Sequence, residues 1–345
     1  MTSGKIEEVE YLGLKSLLYL TGGYLPGYVL EWVGKYPLFT GSGRAALRLI
    51  LEFFRDNKRL PDKNGQVLVP HWLCYSALNT MQKYCSPTLT MNEKVKGLLV
   101  YHQYGFPQKM DEICDYCKEK DLFIIEDCAN VFETYHNKKH LGTLGDAAIF
   151  SLSKLFPSLL GGALVTKNEE LRNYAETKII NCDRTLSLLT YSSRFLYECF
   201  KDTPLLGSVH LMQEMMYGMI DSALDIRAIS LRVINDQLIK GAMLQRKKNY
   251  RFLLDYFEGK PEYYNILWHP GVVTPYIAPF FGTDDKLKRI VSGMRQNGIV
   301  TGIYHFDVNR NLLNPKFEKC IWIPVHQGLN EKDMEKMCEI IKRCN

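Results

Sequence analysis

Long hydrophobic runs are missing from this 345-residue chain, and so is a basic leader ahead of an apolar stretch. The apolar region Ser16–Gly34 is interrupted by Gly22, Gly23, Pro26 and Gly27, and the opening MTSGKIEEVEYLGLKSLL carries acids where a secretory signal carries bases. The expectation is a chain with no signal peptide and no membrane span, working in the cytoplasm. A strong excess of one charge is missing too: 43 Lys and Arg against 38 Asp and Glu give +5, spread along the chain. That balance argues against a nucleic-acid partner, and QRKKNYR at Gln245–Arg251 reads as a solvated helix face.

Cysteine is plentiful, with ten residues, but lacks the repeated spacing of a disulfide framework, so free thiols in a reducing compartment are expected. The lone CxxC, Cys114 and Cys117 in DEICDYCKEK, has no second pair and lies inside a helical stretch, where the spacing only puts two thiols on one face. No metal site is expected. Internal repeats and low-complexity tracts are absent.

What is present is alternation. VLVP (Val67–Pro70), GLLVYH (Gly97–His102), DLFIIED (Asp121–Asp127) and AAIFSL (Ala147–Leu152) are apolar runs of strand length, and Asp111–Lys120 between them has helical periodicity. This pattern predicts an α/β domain with a mainly parallel, buried sheet. From about Asn168 to Phe257 the pattern is long and helical, with RAISLRVINDQL and the basic-aromatic segment after it read as one continuous helix. Beyond the breaker-rich GKPEYYNILWHPGVVTPY, helical DDKLKRIVSGMRQNG, strand-like Ile299–His305 and IWIPV, and a closing helix Glu331–Arg343 predict a smaller C-terminal α/β unit. The expected division is 1–260 and 261–345.

Two local features carry chemistry. GSGRAALRLILEFF sets Gly41 and Gly43 just before an amphipathic helix from Ala45 to about Phe54, and a glycine-led helix N-terminus is a candidate phosphate cradle. It lacks the lysine of a Walker loop, the spacing of a dinucleotide fingerprint and a clear preceding strand. The second feature is Glu126–Thr166, EDCANVFETYHNKKHLGTLGDAAIFSLSKLFPSLLGGALVT, which delivers Asp127 at one strand end and Lys154 just past the next strand. An active-site lysine usually neutralises a phosphate or forms a Schiff base with a carbonyl cofactor. Pyridoxal phosphate needs such a lysine, a carboxylate for its ring nitrogen and a phosphate cradle. Spacing alone does not single that site out.

The wording of the motifs goes further. GSGRAAL, VPHWLCYSA, YHQYGFPQKMDEI, IIEDCAN, GTLGDAAIFSLSK with GGALVT, and IPVHQGLNEKDMEKM follow one another as in the DegT/DnrJ/StrS family of sugar aminotransferases, which the chain resembles over nearly its whole length. The resemblance implies the aspartate-aminotransferase fold (fold type I), a large domain with a mainly parallel sheet plus a smaller C-terminal α/β domain, and pyridoxal 5'-phosphate as cofactor.

By the same resemblance Lys154 is the Schiff-base lysine and the general base and acid, and Asp127 holds the pyridinium nitrogen. Asn130 contacts the ring hydroxyl or packs on the ring. Ser151 donates to the phosphate beside Gly43 and Arg44, although a loop shorter than the family's leaves Ser153 as the alternative. The ring-stacking aromatic aligns with Cys74, with Trp72 or Tyr75 as substitutes, and Trp72 reads equally as core packing. His102 and His326 read as structural. Arg227 or Ser222 is the candidate contact to a partner subunit's phosphate. Cys85–Lys96 is shorter than the corresponding family segment.

The implied function is transamination of a nucleotide-linked keto-sugar with glutamate as donor, by a homodimer with shared sites, toward amino sugars for a polysaccharide. A family-type dehydratase, which carries histidine in place of the lysine, and a non-catalytic fold-type-I binding or scaffold protein are the alternatives.

Overall fold

The computed structural model of the chain describes residues 5–10, 12, 15, 18–19, 37–61, 64–200, 203, 217–258 and 273–344. The expected boundary at 260/261 lies outside these residues, as does most of Ser16–Gly34.

A seven-stranded sheet is assembled from β1 (Leu38–Thr40), β2 (Gln66–Leu68), β3 (Ser86–Thr88), β4 (Val95–Tyr101), β5 (Phe123–Cys128), β8 (Ala147–Ser151) and β9 (Gly162–Thr166), in the order β1-β9-β8-β5-β4-β2-β3. The pairs from β8 to β3 are parallel, while β9 runs antiparallel to both β8 and β1. Every residue of β5 is buried, as a parallel strand covered on both faces requires. A two-stranded hairpin, β6 (Tyr135–His136) and β7 (Lys139–His140), occupies the connection between β5 and β8.

Helix α1 (Gly43–Asp56) starts two residues before the expected Ala45, because Ser42 caps it: the Ser42 hydroxyl accepts the Ala45 N–H at 3.0 Å. The strand missing from the sequence reading exists as the short β1. Helix α1 packs its apolar face on the sheet through Ala46, Leu47, Ile50 and Phe54. Helices α2 (Tyr75–Met81) and α3 (Met110–Glu119) complete the first half of the unit. Cys117 on α3 is buried and Cys114 partly so, both are free, and burial pushes their thiols up to about 12 and about 11, which keeps both as inert thiols.

The long helical stretch predicted for 168–257 is instead several pieces: α5 (Glu169–Ile180), α6 (Arg184–Phe200), a one-turn helix at Ile220–Ser222, α7 (Ala228–Ile239) and α8 (Ala242–Phe257), with a one-turn α4 (Leu152–Leu155) ahead of β9. The expected continuous helix breaks at Gly241, whose φ of 78° lies in the left-handed region that glycine adopts without strain.

A second, three-stranded antiparallel sheet has the order β10 (Ile277–Phe281), β12 (Phe317–Pro324), β11 (Ile303–Asp307), backed by α9 (Asp284–Gln296) and α10 (Glu331–Cys344). Pro279 within β10 is tolerated because β10 is an edge strand.

The basic-aromatic segment is not simply a solvated face. Lys247 and Arg251 form ion pairs with Glu133 and Asp255, but Arg246 is fully buried. Its Nε donates to Gln327 Oε1 at 2.9 Å, and its two terminal nitrogens donate to the carbonyls of Tyr276 and Leu155, each at 3.1 Å. Gln327 Nε2 donates to the same Leu155 carbonyl at 3.1 Å. Burial drives the guanidinium down to about 10, against the opposing pull of Tyr276 and Glu10.

Replacing Arg246 with Lys removes the planar fork while keeping the charge, and is expected to cost about 2–4 kcal/mol by urea denaturation. A second expectation concerns pH. Burial, helped by the Arg246 charge, pushes His326 down to about 3, and burial also lowers His140. The His326 imidazole stays neutral in the fold down to about 3 while the unfolded chain takes up a proton near its ordinary value of about 6.5, so stability falls as pH drops below that value, by about 1.4 kcal/mol per unit from this group. His326→Asn keeps an acceptor for the Gly328 N–H now bonded to Nδ1 and is expected to flatten that slope in pH-dependent denaturation.

Candidate active site at the C-terminal edge of the sheet

Strands β5 and β8 run parallel, so their C-terminal ends open on the same edge. The first ends in Asp127 and Cys128, the second in Ser151, and the α4 turn that follows carries Lys154.

Asp127 is buried, and its Oδ1 accepts the Ala129 N–H at 2.9 Å. Burial raises its carboxyl, while the Lys154 charge, the Ala129 amide and His102 pull the other way without cancelling the effect. A buried carboxyl in this position gains from a cation placed against it.

Glu126, the adjacent residue, has the opposite fate. Its Oε1 accepts the N–H groups of Leu144 and Gly145, both at 2.7 Å, and its Oε2 accepts Gly142 N–H at 2.8 Å and His102 Nε2–H at 3.1 Å. Burial alone would raise this carboxyl, but His102 and the glycine amides outweigh it and hold it below the usual range. His102 accepts the Gln108 N–H at Nδ1, 3.2 Å, which fixes Nε2 as the protonated nitrogen. His102, Glu126 and Cys128 bring ligand-type atoms within 4.8 Å of one another, yet both ring nitrogens of the histidine and both oxygens of the glutamate are already bonded. His102 and Glu126 form a hydrogen-bonded knot that ties the β5 end to the loop before β8.

The helix α1 N-terminus reaches the same edge. Ser151 pairs with Gly162 across β8 and β9, and a Cβ on Gly43 would stand 3.3 Å from the Ser151 Cβ. A Cβ on Gly162 would stand 2.2 Å from the Ser42 carbonyl carbon and 2.4 Å from the Gly43 nitrogen, so only glycine lets β9 run against the first turn of the helix. Gly43, Ser151 and the first-turn amides therefore form a narrow, N–H-lined corner of the kind that holds an anion.

Other expected site residues lie differently. The Arg44 guanidinium turns to the Tyr217 carbonyl at 3.0 Å and lies over the Tyr217 ring at 4.9 Å, which ties it to the segment before Ile220–Ser222. Trp72 is not core packing. It is 54% exposed, and its ring stacks on His305 of β11 at 4.2 Å and 3°, with Phe317 at its edge. Tyr75 is 79% exposed. Cys74 caps α2 with an exposed thiol 3.4 Å from the Ser76 hydroxyl. Asn130 is buried and accepts a hydrogen bond from the Tyr101 hydroxyl. Ser222 is bonded to Arg48, and Arg227 to Tyr191 and the Arg184 carbonyl, so both are engaged within the chain.

The sequence reading missed two participants. Tyr101 sits opposite Asp127 in the β4–β5 register and so faces the same side of the sheet; its position at the end of an apolar run was the available signal. Arg246, which donates to the Leu155 carbonyl next to Lys154, was hidden in a basic stretch.

Comparison with known proteins shows what part of the chain is similar to. The profile of the DegT/DnrJ/EryC1/StrS aminotransferase family matches residues 88–193. A GDP-perosamine synthase of Escherichia coli O157:H7 is 36% identical over 83 residues, 24% of this chain and 23% of that protein. A dTDP-3-amino-3,6-dideoxy-alpha-D-galactopyranose transaminase of Aneurinibacillus thermoaerophilus is 35% identical over 198 residues, 48% of this chain and 53% of the other. A GDP-4-keto-6-deoxy-D-mannose 3-dehydratase of Escherichia coli O55:H7 is 25% identical over 202 residues, 50% of this chain and 52% of the other. The chain thus matches about a quarter to a half of the length of these curated relatives.

Solved structures cover more of the chain and bear on the fold. The aminotransferase TlmJ of Streptoalloteichus hindustanus superposes with a TM-score of 0.67 at 15% identity, over 100% of this chain and 98% of the other. The Helicobacter pylori aminotransferase PseC, involved in pseudaminic acid biosynthesis, superposes at 0.65 and 15% identity, over 99% and 98%. Residues 88–193 thus match the profile of the DegT/DnrJ/EryC1/StrS aminotransferase family, and nearly the whole chain shares the fold-type-I architecture of these solved aminotransferases.

Proposed function

We propose that this chain is a pyridoxal-5'-phosphate-dependent aminotransferase that acts on a nucleotide-linked keto-sugar, with glutamate as the amino donor. The observation that carries the reading is a buried Asp127 at the end of β5, within the field of Lys154, on the same sheet edge as the glycine-lined helix corner. The sugar transaminases among the relatives support the substrate class.

The residues fit the cofactor. Asp127, a carboxyl whose burial no direct ion pair offsets among the described residues, suits a protonated ring nitrogen. The corner at Gly43 and Ser151, too tight for a Cβ on Gly162, suits a phosphate. Bound there, pyridoxal phosphate supplies an electrophilic aldehyde and an electron sink. One solved dehydratase of the same fold, 19% identical with a TM-score of 0.64, holds hydrated pyridoxal phosphate.

In this reading Asp127 would hold the ring nitrogen of bound cofactor, the Gly43 and Arg44 amides with the Ser151 hydroxyl would hold its phosphate, and Asn130, which accepts from Tyr101, would contact its ring. Lys154 provides the amine that anchors the carbonyl, and its Nζ takes a proton from the α-carbon of glutamate and later delivers one to the sugar carbon that receives the amine. Cys74 lines the open side in place of an aromatic, since Trp72 is committed to His305. Residues 1–260 form the cofactor domain and 261–345 the smaller one, and the working form is a cytoplasmic homodimer. No helix among the described residues is long and apolar enough to cross a membrane.

Two observations favour alternatives. The matching dehydratase keeps dehydration in view, but this chain has lysine at residue 154, where the dehydratase pattern implied by the resemblance has histidine. The exposed Cys74 and the occupied Trp72 ring would suit a non-catalytic binding or scaffold protein.

The deciding experiment is the absorbance spectrum of purified protein with pyridoxal phosphate, before and after glutamate, for wild type and Lys154→Ala. The expected result is a visible band that requires Lys154 and changes with glutamate, with turnover of keto-sugar acceptors falling on the order of 10³-fold or more in the variant. A spectrum identical in wild type and Lys154→Ala would hand the lead to the binding-protein reading.

A further inference from the structure

Strands β2, β4 and β5 run parallel, so the chain leaves β2 and β4 on the sheet edge where Asp127 stands. A narrow cleft opens there, lined by His71 and Trp72 after β2, by Tyr101 at the end of β4, and by Leu312 and Phe317 around the β11–β12 connection. It therefore lies between the large sheet and the three-stranded one. Tyr101 is opposite Asp127 in register and donates to Asn130 Oδ1, so the cleft adjoins the candidate cofactor site.

Most polar atoms in this lining are already committed. Gln103 grips β11 in both directions: its Nε2 donates to the His305 carbonyl at 2.7 Å, and its Oε1 accepts the Asp307 N–H at 3.1 Å. The Asp307 carboxylate accepts the N–H groups of Asn309, Asn311 and Lys316 at 3.1, 2.9 and 2.9 Å. Trp72 stacks on His305 yet stays more than half exposed, and the Phe317 ring meets those of Trp72 and His71 at 80° and 62°.

One buried acceptor is left over. Gln108, which also lines the cleft, is only 5% exposed, and its Oε1 has no hydrogen-bond partner among the described residues. A buried carbonyl oxygen in that state carries a desolvation cost that a donor on a bound molecule would recover. The lining contains no lysine or arginine, and its one carboxylate is Asp307. A phosphate, or the carboxylates of an amino-acid donor, would find no counter-charge there, and a sugar ring would leave most of its hydroxyls unpaired. A flat ring with an N–H on its edge matches the lining: aromatic surface to stack on, one acceptor to satisfy, and no cation required.

We propose that this cleft is the subsite for the nucleobase of the nucleotide-linked acceptor, with the base stacked on the aromatic lining at Trp72 and an edge N–H donated to Gln108 Oε1. The proposal rests on the nucleotide-sugar reading of the substrate, and it makes Trp72 and Gln108 determinants of which nucleotide is accepted.

The test is isothermal titration calorimetry on the full chain without cofactor, with UDP, dTDP and GDP as probes and inorganic pyrophosphate as the control for phosphate alone. At least one of the nucleotides is expected to bind about tenfold or more tightly than pyrophosphate. Trp72→Ala is expected to weaken that nucleotide about tenfold, and Gln108→Met, which keeps the side-chain length without the acceptor, about fivefold, with pyrophosphate unaffected. Thermal melts establish that the variants are folded, and Gln108→Met carries the test if Trp72→Ala is not. No nucleotide binding better than pyrophosphate, or equal nucleotide affinity in wild type and the folded variants, would overturn the proposal. A chain without the lysine-dependent spectrum can still show this nucleotide binding. A chain with that spectrum whose nucleotide affinity ignores both substitutions loses the subsite and keeps the aminotransferase reading.

Discussion

A guanidinium fully buried with no carboxylate in ion-pair contact among the described residues has to be held by neutral acceptors, and Arg246 is held by two main-chain carbonyls and one side-chain amide. Those acceptors come from parts of the chain far apart in sequence: Leu155, one residue past Lys154; Tyr276, at the entry to the smaller sheet; and Gln327, before the last helix. The desolvation cost is met only while all three stay in place. The position of the α4 turn relative to the three-stranded sheet is thereby tied to a single side chain, and Lys154 on that turn inherits the constraint.

A second fixed point lies one strand away. The Glu126 carboxylate binds the loop before β8 by three amides and orients His102 on its other side. Since Glu126 and Asp127 are consecutive on one strand, their side chains take opposite faces, and the knot made by the first sets the direction of the second. Asp127 is buried and poorly compensated, while its neighbour is compensated fully. Gly162 completes the frame by letting the α1 N-terminus lie against β9.

Much of this was legible in the linear sequence where local patterning and burial agree. The strands at 95–101, 123–128 and 147–151 show as apolar runs because both of their faces are covered, and α9 and α10 show as amphipathic periods. The break at Gly241 escaped notice because the residues on both sides are good helix formers, and only the backbone angle ends the helix. Edge strand β10 was masked by Pro279. The basic stretch at 245–251 looked solvated because sequence reports charge and not depth, and an arginine held by carbonyls leaves no complementary acid to find.

The candidate site divides along the same line. The sequence by itself determined which residues stand at strand ends and helix starts, Asp127, Ser151, Lys154 and Gly43, because strand length, turn chemistry and motif order are local properties. Tertiary structure alone decided the rest: Arg44 turned to Tyr217, Trp72 stacked on His305, Tyr101 bonded to Asn130, and Arg246 buried against the Leu155 carbonyl. These pairings depend on where separate segments meet in space, and the forces that set them, buried charge and ring contact, act over distances that sequence spacing does not encode.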